Sequence, residues 1–187
     1  MGRAKAFDPD AAVEQAMDLF WRKGFGATTP QDLVAELGIG KGSLYNAFDS
    51  KRALFDRALA RYTDMRAAAL TEALTGPGPA RERVRAALLH LANAPDPARG
   101  CLAVNTAAEL TGDPVAAALV DRMFGRVEDA FRVAIEDGQR SGEFAAGRDP
   151  GQLATLLLSS FIGMVVVAKT GATERTRRAA DAVLAIL

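Results

Sequence analysis

The chain has 187 residues, and 23 lysines and arginines balance 23 aspartates and glutamates. Because 49% of the residues are apolar, a chain of this length can bury a core, which excludes a disordered or fibrous protein. The single cysteine excludes an intrachain disulfide, and acidic residues stand where a signal peptide needs its apolar core. We therefore expect a cytoplasmic protein, and the aromatic content of 6% favours helices over sheets.

Proline residues mark the expected helix starts. In an Asp-Pro or Thr-Pro pair, the first side chain can cap a helix while proline takes the first helical position without losing a hydrogen bond. Such pairs begin at Asp8, Thr29, Asp96, Asp113 and Asp149. With the apolar spacing, the predicted helices cover about 9–23, 30–37, 41–47, 51–74, 80–93, 97–110, 114–141, 150–170 and 174–187. No segment alternates like a half-buried strand, so the predicted fold class is all-α with about nine helices.

The second and third predicted helices form a helix-turn-helix pattern. Gly38 allows a sharp turn between them, and Leu33 and Leu44 can pack the two helices together. The exposed polar side chains of the third helix can contact phosphates or base edges in DNA; they are Lys41, Ser43, Tyr45 and Asn46. Charge is balanced in this region, so affinity for DNA must come from where the cations lie, and a plain helical bundle remains the alternative.

The stretch FWRKGFGATTPQDLVAELGIGKGSLYNAFDSKRALF, residues 20–55, resembles the DNA-binding domain of tetracycline-repressor-like (TetR/AcrR family) transcription regulators. The residues that carry the resemblance include Thr28-Thr29, Gly38-Ile39, Lys41-Gly-Ser-Leu-Tyr45, Phe48 and Lys51. The resemblance implies a homodimer in which each subunit presents one recognition helix to half of a palindromic operator in double-stranded DNA. It also implies an N-terminal helix-turn-helix domain over residues 1–52 and a C-terminal domain for effector binding and dimerisation over residues 53–187.

Roles for single residues follow from the same resemblance. Thr29 would meet a phosphate through its hydroxyl and the free N–H groups at the start of the second helix, and Tyr45 and Lys51 would bind phosphates and set the register on DNA. The candidates for reading bases are Lys41, Ser43 and Asn46. A packed aromatic ring is the alternative for Tyr45, and a solvated lysine is the alternative for Lys51. Arg3 and Lys5 precede the first helix and add two cations near the same surface.

The segment over 153–168 is apolar on every side, so it must be buried. It is shorter than a bilayer requires and carries two serines at its centre, so we expect a cover of protein and no membrane. The last helix also has an apolar face. We expect these two helices to pair with their copies in a homodimer, as the resemblance also implies; burial within one subunit is the alternative.

A pocket for an unknown small-molecule effector is expected among the helices between the two ends. Candidate residues combine apolar walls with a few polar groups; they are Asn105, Glu109, Phe124, Met123 and His90. Ordinary core packing is the alternative for the methionine and phenylalanine. The sequence does not identify the effector.

Cys101 is a candidate sensor. It stands near the start of a predicted helix, where free N–H groups can lower the pKa of a thiol, and Lys169 is a second candidate influence. The segment GCLAVNTAAEL, with an Ala-Lys pair at Lys169, resembles a subgroup of TetR-like regulators. Some members of that subgroup sense electrophiles or oxidants through the matching cysteine. A buried, inert cysteine is the alternative.

Motifs for catalysis and metal binding are absent from the sequence. The glycine-rich run over 38–43 lacks the spacing of a phosphate-binding loop, and His90 has no cluster of metal-ligand residues around it. We therefore predict no enzyme activity, no cofactor and no metal. The predicted function is a DNA-binding repressor released by a small molecule or by modification of Cys101. The alternative is a helical ligand-binding protein that does not bind an operator.

Overall fold

The computed structural model describes residues 8–90 and 93–187, so Arg3 and Lys5 lie outside the described residues. The helices are α1 (Pro9–Lys23), α2 (Pro30–Leu37), α3 (Lys41–Phe48), α4 (Lys51–Thr75), α5 (Ala80–Leu89), α6 (Leu102–Glu109), α7 (Pro114–Ser141), α8 (Pro150–Ala168) and α9 (Thr173–Leu184). Over these two ranges there is no strand, which confirms the all-α prediction.

Side-chain caps begin most of the predicted helices. The side chains of Asp8, Thr29, Asp113 and Asp149 each accept a hydrogen bond from a backbone N–H in the first turn of the following helix. Asp96 is the exception, because its side chain caps nothing and Pro97–Arg99 forms a single 3-10 turn. The backbone of Gly100 then takes a φ of 66°, so the helix predicted over 97–110 is wrong in its first part and α6 begins only at Leu102.

The N-terminal core holds the helix-turn-helix together. Phe20 on α1 meets Phe55 on α4 edge to face, with ring centroids 5.1 Å apart. Leu33 and Leu44 are fully or almost fully buried, as the sequence predicted, and Gly38 takes a left-handed φ of 62° between α2 and α3. The two short helices are therefore held against α1 and α4 by apolar packing.

The C-terminal half is a bundle around α4 and α7, with α8 packed on α7 and α9 packed on α5 and α8. By length and composition α8 is apolar enough to cross a membrane, with a mean hydropathy of 1.9. One side of it, including Leu157 and Phe161, is buried in the bundle. Its other side exposes Leu156 and Val166, so this subunit alone covers only part of the helix.

Candidate DNA interface and sensor segment

Helix α3 turns its polar side chains outward and its apolar side chains inward. Lys41, Ser43 and Asn46 are exposed, whereas Leu44 and Phe48 are buried in the core. Among the residues that the structure describes, the side chains of Lys41, Ser43 and Asn46 have no hydrogen-bond or ion-pair partner. Tyr45 lies half-buried on the same helix. The helix is thus fixed by packing while its polar side chains keep their hydrogen-bonding groups unused.

Thr29 uses its hydroxyl group within the protein. The hydroxyl donates to Oδ2 of Asp32 over 2.8 Å and accepts from the Asp32 backbone N–H over 3.2 Å. The backbone N–H of Thr29 donates to the same carboxylate, as does the ammonium of Lys23 over 2.6 Å. These donors, with Lys23 first, hold the pKa of Asp32 well below its usual range. Thr29 therefore begins α2 as half of a capping box.

Lys51, at the start of α4, binds the turn between α1 and α2. Its ammonium donates to the backbone carbonyls of Phe25 and Thr28, each over 2.7 Å, and lies 4.2 Å from the centroid of the Phe25 ring. An ammonium group has three donors, so one remains for an outside acceptor. No local sequence signal indicates this contact, because the two carbonyls lie on a loop more than twenty positions earlier in the chain.

Three of the seven residues predicted for the effector pocket or the sensor meet in one cleft. Asn105, Glu109 and Lys169 line a cleft of about 460 Å³ between α1 and α6. Phe124 lies elsewhere, in a groove of about 280 Å³ between α6 and α7. Cys101 is 3% exposed and packs in the core instead. The predicted effector residues therefore do not form a single pocket.

Cys101 is the residue immediately before α6, and its thiol is held by Tyr62. The Tyr62 hydroxyl donates to Sγ of Cys101 over 3.4 Å and accepts from the backbone N–H of Leu102 over 3.2 Å. Burial, and then the neighbouring thiol, raise the pKa of Tyr62 far above its usual range, so the hydroxyl keeps the proton that it donates. Tyr62, which the sequence analysis did not single out, links α4 to the start of α6.

Lys169 approaches the same segment. A Cβ built on Gly100 would lie 2.8 Å from Cδ of Lys169, so the lysine stem covers the residue before Cys101. The Lys169 ammonium donates to Oδ1 of Asn105 over 2.7 Å. In this arrangement the charge of Lys169 is directed to Asn105, and Gly100 is the residue that allows the close approach.

Glu109 reaches from the end of α6 to the N-terminal half. Its carboxylate accepts hydrogen bonds from the backbone N–H groups of Phe25 over 3.1 Å and Gly26 over 2.7 Å. A Cβ on Gly24 would lie only 3.1 Å from the same carboxylate. Predicted as a pocket residue, Glu109 lines the cleft and also ties α6 to the turn between α1 and α2.

Two further contacts join the same segment to the N-terminal half. Arg99 donates to the backbone carbonyl of Asp18 over 2.9 Å and lies 4.0 Å from the ring centroid of Trp21. Arg52 binds both carboxylate oxygens of Asp113, one of them over 2.6 Å. The partners in these pairs are 61 or more positions apart, so no local sequence signal could have identified them. The chain from Arg99 to Asp113 is therefore tied to the N-terminal half at three points, counting Glu109.

Two family models match the chain. "Bacterial regulatory proteins, tetR family" matches residues 12–58, and "Tetracyclin repressor-like, C-terminal domain" matches residues 80–183. The uncharacterized HTH-type transcriptional regulator YezE of Bacillus subtilis is 33% identical over the whole of both chains. The HTH-type transcriptional repressor ComR of Escherichia coli is 33% identical over 92% of this chain and 84% of its own length.

Solved structures agree in fold and in class. A cysteine mutant of the TetR family regulator CifR, complexed with a 26-base-pair operator, is 34% identical and covers 98% of both chains with a TM-score of 0.77. The reduced form of NemR from E. coli is 25% identical over 95% of this chain and 93% of its own, with a TM-score of 0.79. These relatives are named as transcriptional regulators and not as enzymes. With both halves matched by models of one family, the chain belongs to the TetR family of bacterial DNA-binding transcriptional regulators.

Proposed function

We propose that this protein is a homodimeric repressor that binds a palindromic operator in the cytoplasm and leaves it on a chemical signal. The observation that carries the proposal is the state of α3. Its exposed Lys41, Ser43 and Asn46 have no partners among the described residues, while its inner side is packed in the core. A rigid helix with unused donors and acceptors suits the major groove, where base edges are read by such groups.

Within this proposal, residues 1–52 contact DNA and residues 53–187 bind the effector and form the dimer. Lys41, Ser43 and Asn46 read bases, and Tyr45 binds a phosphate. Lys51 contributes its remaining donor to a phosphate while it holds the turn before α2. Thr29 supports a phosphate contact through the first turn of α2, because its hydroxyl is engaged with Asp32.

The proposed dimer interface is formed by the uncovered faces of α8 and α9. Leu156 is 41% exposed and Val166 is 51% exposed on α8, and Ile186, just beyond α9, is 39% exposed. A Cβ on Gly163 would meet nothing within 4 Å, so a second helix can approach closely there. Two copies of these helices would bury the apolar surface in a four-helix bundle.

The signal acts on the segment that carries Cys101. A small molecule in the cleft lined by Asn105, Glu109 and Lys169 would separate α6 from α1. Modification of Cys101 would enlarge a side chain that is already packed against Tyr62, so the start of α6 would have to move. Either event reaches the DNA-binding half through the contacts of Arg99, Glu109 and Asp113. Phe124 lines a groove beside the same helix.

The test of operator binding uses a labelled DNA fragment from the region upstream of this gene, with a random fragment of equal length as control. We expect tight, salt-sensitive binding to the first fragment. Asn46→Ala should lose about tenfold or more in specific affinity with little change on the random fragment. Lys51→Ala should weaken both and make the salt slope shallower by about 1. If N46A discriminates between the two fragments as well as the wild type does, α3 does not read bases in this way.

The release mechanism is tested with methyl methanethiosulfonate. The Cys101 thiolate attacks the sulfenyl sulfur, a mixed disulfide forms and methanesulfinate leaves, and added dithiothreitol reverses the step. Because the chain has one cysteine, the reagent can label only this thiol. We expect operator release by the wild type and none by Cys101→Ser. If the reagent releases both the wild type and Cys101→Ser from the operator, Cys101 is excluded as the sensor. A non-covalent effector would then remain as the signal. If neither the wild type nor any variant binds either DNA fragment, the result would favour a ligand-binding protein that does not bind DNA.

A further inference from the structure

A second cleft shares Trp21, Asp96 and Arg99 with the one described above. It occupies about 640 Å³ between α4, the end of α5 and residues 93–100. This volume is in the range of about 300 to 1,000 Å³ that small-molecule sites occupy. Of the residues considered as effector contacts from the sequence, only His90 lines it. The proposed function therefore does not use this cleft.

Arg66 supplies the cleft with a positive charge that lacks a counter-ion. Its guanidinium lies 5.9 Å from the ring centroid of Tyr62, and no carboxylate within 8–90 and 93–187 forms an ion pair with it. Partial burial, and then the charge of Arg66, lower the pKa of His90, so this imidazole is neutral at pH 7 and adds no charge. Arg99 is already paired with Asp18, and Asp96 is the one acidic residue in the lining. The unpaired cation favours an anionic occupant.

Two residues of the cleft wall, Trp21 and Arg99, each hold a buried hydrogen-bond donor. Nε1 of Trp21 and Nε of Arg99 have no acceptor among the residues that the structure describes. A buried donor without an acceptor costs free energy, so both side chains gain from a rearrangement of the wall that supplies an acceptor. The remaining wall is apolar and includes Ala86, Ala94 and Pro95. The lining therefore combines the unpaired Arg66, the paired Arg99 and the carboxylate of Asp96 with an apolar surface.

We propose that this cleft binds a small organic acid, with its carboxylate on Arg66 and its apolar body against Trp21 and Pro95. The inference rests on the proposed function in that the acid would act as an effector of the repressor. Tyr62 connects the two sites: its ring lies 5.0 Å from that of Trp21 and beside Arg66, and its hydroxyl holds Cys101. Gly100, the neighbour of Cys101, is itself part of the cleft wall. An acid bound here would therefore touch Gly100 and two residues, Trp21 and Arg66, that pack against Tyr62.

The test follows the fluorescence of Trp21, which is the single tryptophan in the sequence and lines the cleft. The probes are hexanoate, octanoate and cyclohexanecarboxylate, which do not absorb where tryptophan does, and cyclohexanecarboxamide is the neutral control. We expect a saturable change with at least one acid and none with the amide. Arg66→Gln should weaken the binding of that acid by about tenfold or more, because a charge-assisted contact is lost. Arg122→Gln, at an exposed arginine on α7, should bind it as the wild type does.

The proposal is overturned if no acid changes the fluorescence up to about 10 mM, which would correspond to negligible affinity. Equal binding of acid and amide, or unchanged binding by R66Q, would also overturn it. Operator binding is measured on the same preparations without acid, so that failure of the proposed repressor function can be distinguished from failure of the proposed acid site. R66Q should bind the operator like the wild type, because Arg66 forms no hydrogen bond or ion pair within the described residues and is not among the residues proposed to contact DNA. A wild type that binds an acid but no operator would contradict the proposed function and support the cleft.

Discussion

Glu109→Ala tests the link between α6 and the DNA-binding half. The substitution removes a carboxylate that accepts two backbone hydrogen bonds, from Phe25 over 3.1 Å and from Gly26 over 2.7 Å. A hydrogen bond to a charged group contributes about 1.5 to 3 kcal/mol when it is shielded. Glu109 is exposed, so solvent reduces this value, and we expect a total loss of about 1 to 2 kcal/mol in the free energy of unfolding. Glu109→Gln should lose about half as much, because an amide has one acceptor oxygen.

Urea unfolding measures the loss in stability, and hydrogen exchange at the Gly26 amide measures the local effect. A loss of 1.4 kcal/mol corresponds to about tenfold faster exchange when the turn opens locally. Glu72→Ala is the matched control, since Glu72 is an exposed glutamate on α4 without a side-chain partner among the described residues. If E109A has the same free energy of unfolding and the same exchange rate at Gly26 as E72A, the contact of Glu109 with the turn does not stabilise the protein. In that case the signal cannot reach the DNA-binding half through Glu109.

The remaining predictions concern the thiol, the dimer and acid stability. Tyr62→Phe should lower the free energy of unfolding by about 1 to 3 kcal/mol, because the Leu102 N–H loses its acceptor. The same substitution should increase the rate of thiol labelling at Cys101, because the hydroxyl no longer holds the sulfur. Unchanged urea midpoints and labelling rates would contradict this prediction. Val166→Glu should give a monomer in analytical ultracentrifugation, whereas Val115→Glu, at a valine with almost the same exposure, should stay a dimer; two dimers would exclude this face of α8. Arg52 holds the pKa of Asp113 well below its usual range, so this pair stabilises the fold above about pH 4 and the contribution disappears as the pH falls through the lowered pKa. Asp113→Asn should therefore have a lower free energy of unfolding than the wild type at pH 7, and the difference should shrink as the pH falls. If the difference in the free energy of unfolding is the same at every pH, the pairing is refuted.

Local patterns in the sequence were sufficient for the helix starts and the helix-turn-helix. Asp8 and Asp149 bind backbone N–H groups two or three positions later, so their role is decided within one turn of the chain. Gly38 and the apolar positions around it likewise act between neighbouring helices. The family of the protein could be recognised for the same reason, because its motif occupies one short continuous stretch.

The tertiary structure alone decided what the residues around Cys101 and Glu109 contact. Glu109 binds a turn more than eighty positions away, and Lys51 uses two of its three donors inside the protein. Tyr62 could be identified as the partner of Cys101 only after α4 and α6 were packed together. The same packing placed Phe124 in a different groove from Asn105, although both are on helices with similar patterns. Such contacts depend on how helices pack in three dimensions, and the spacing of residues along a single helix carries no information about them.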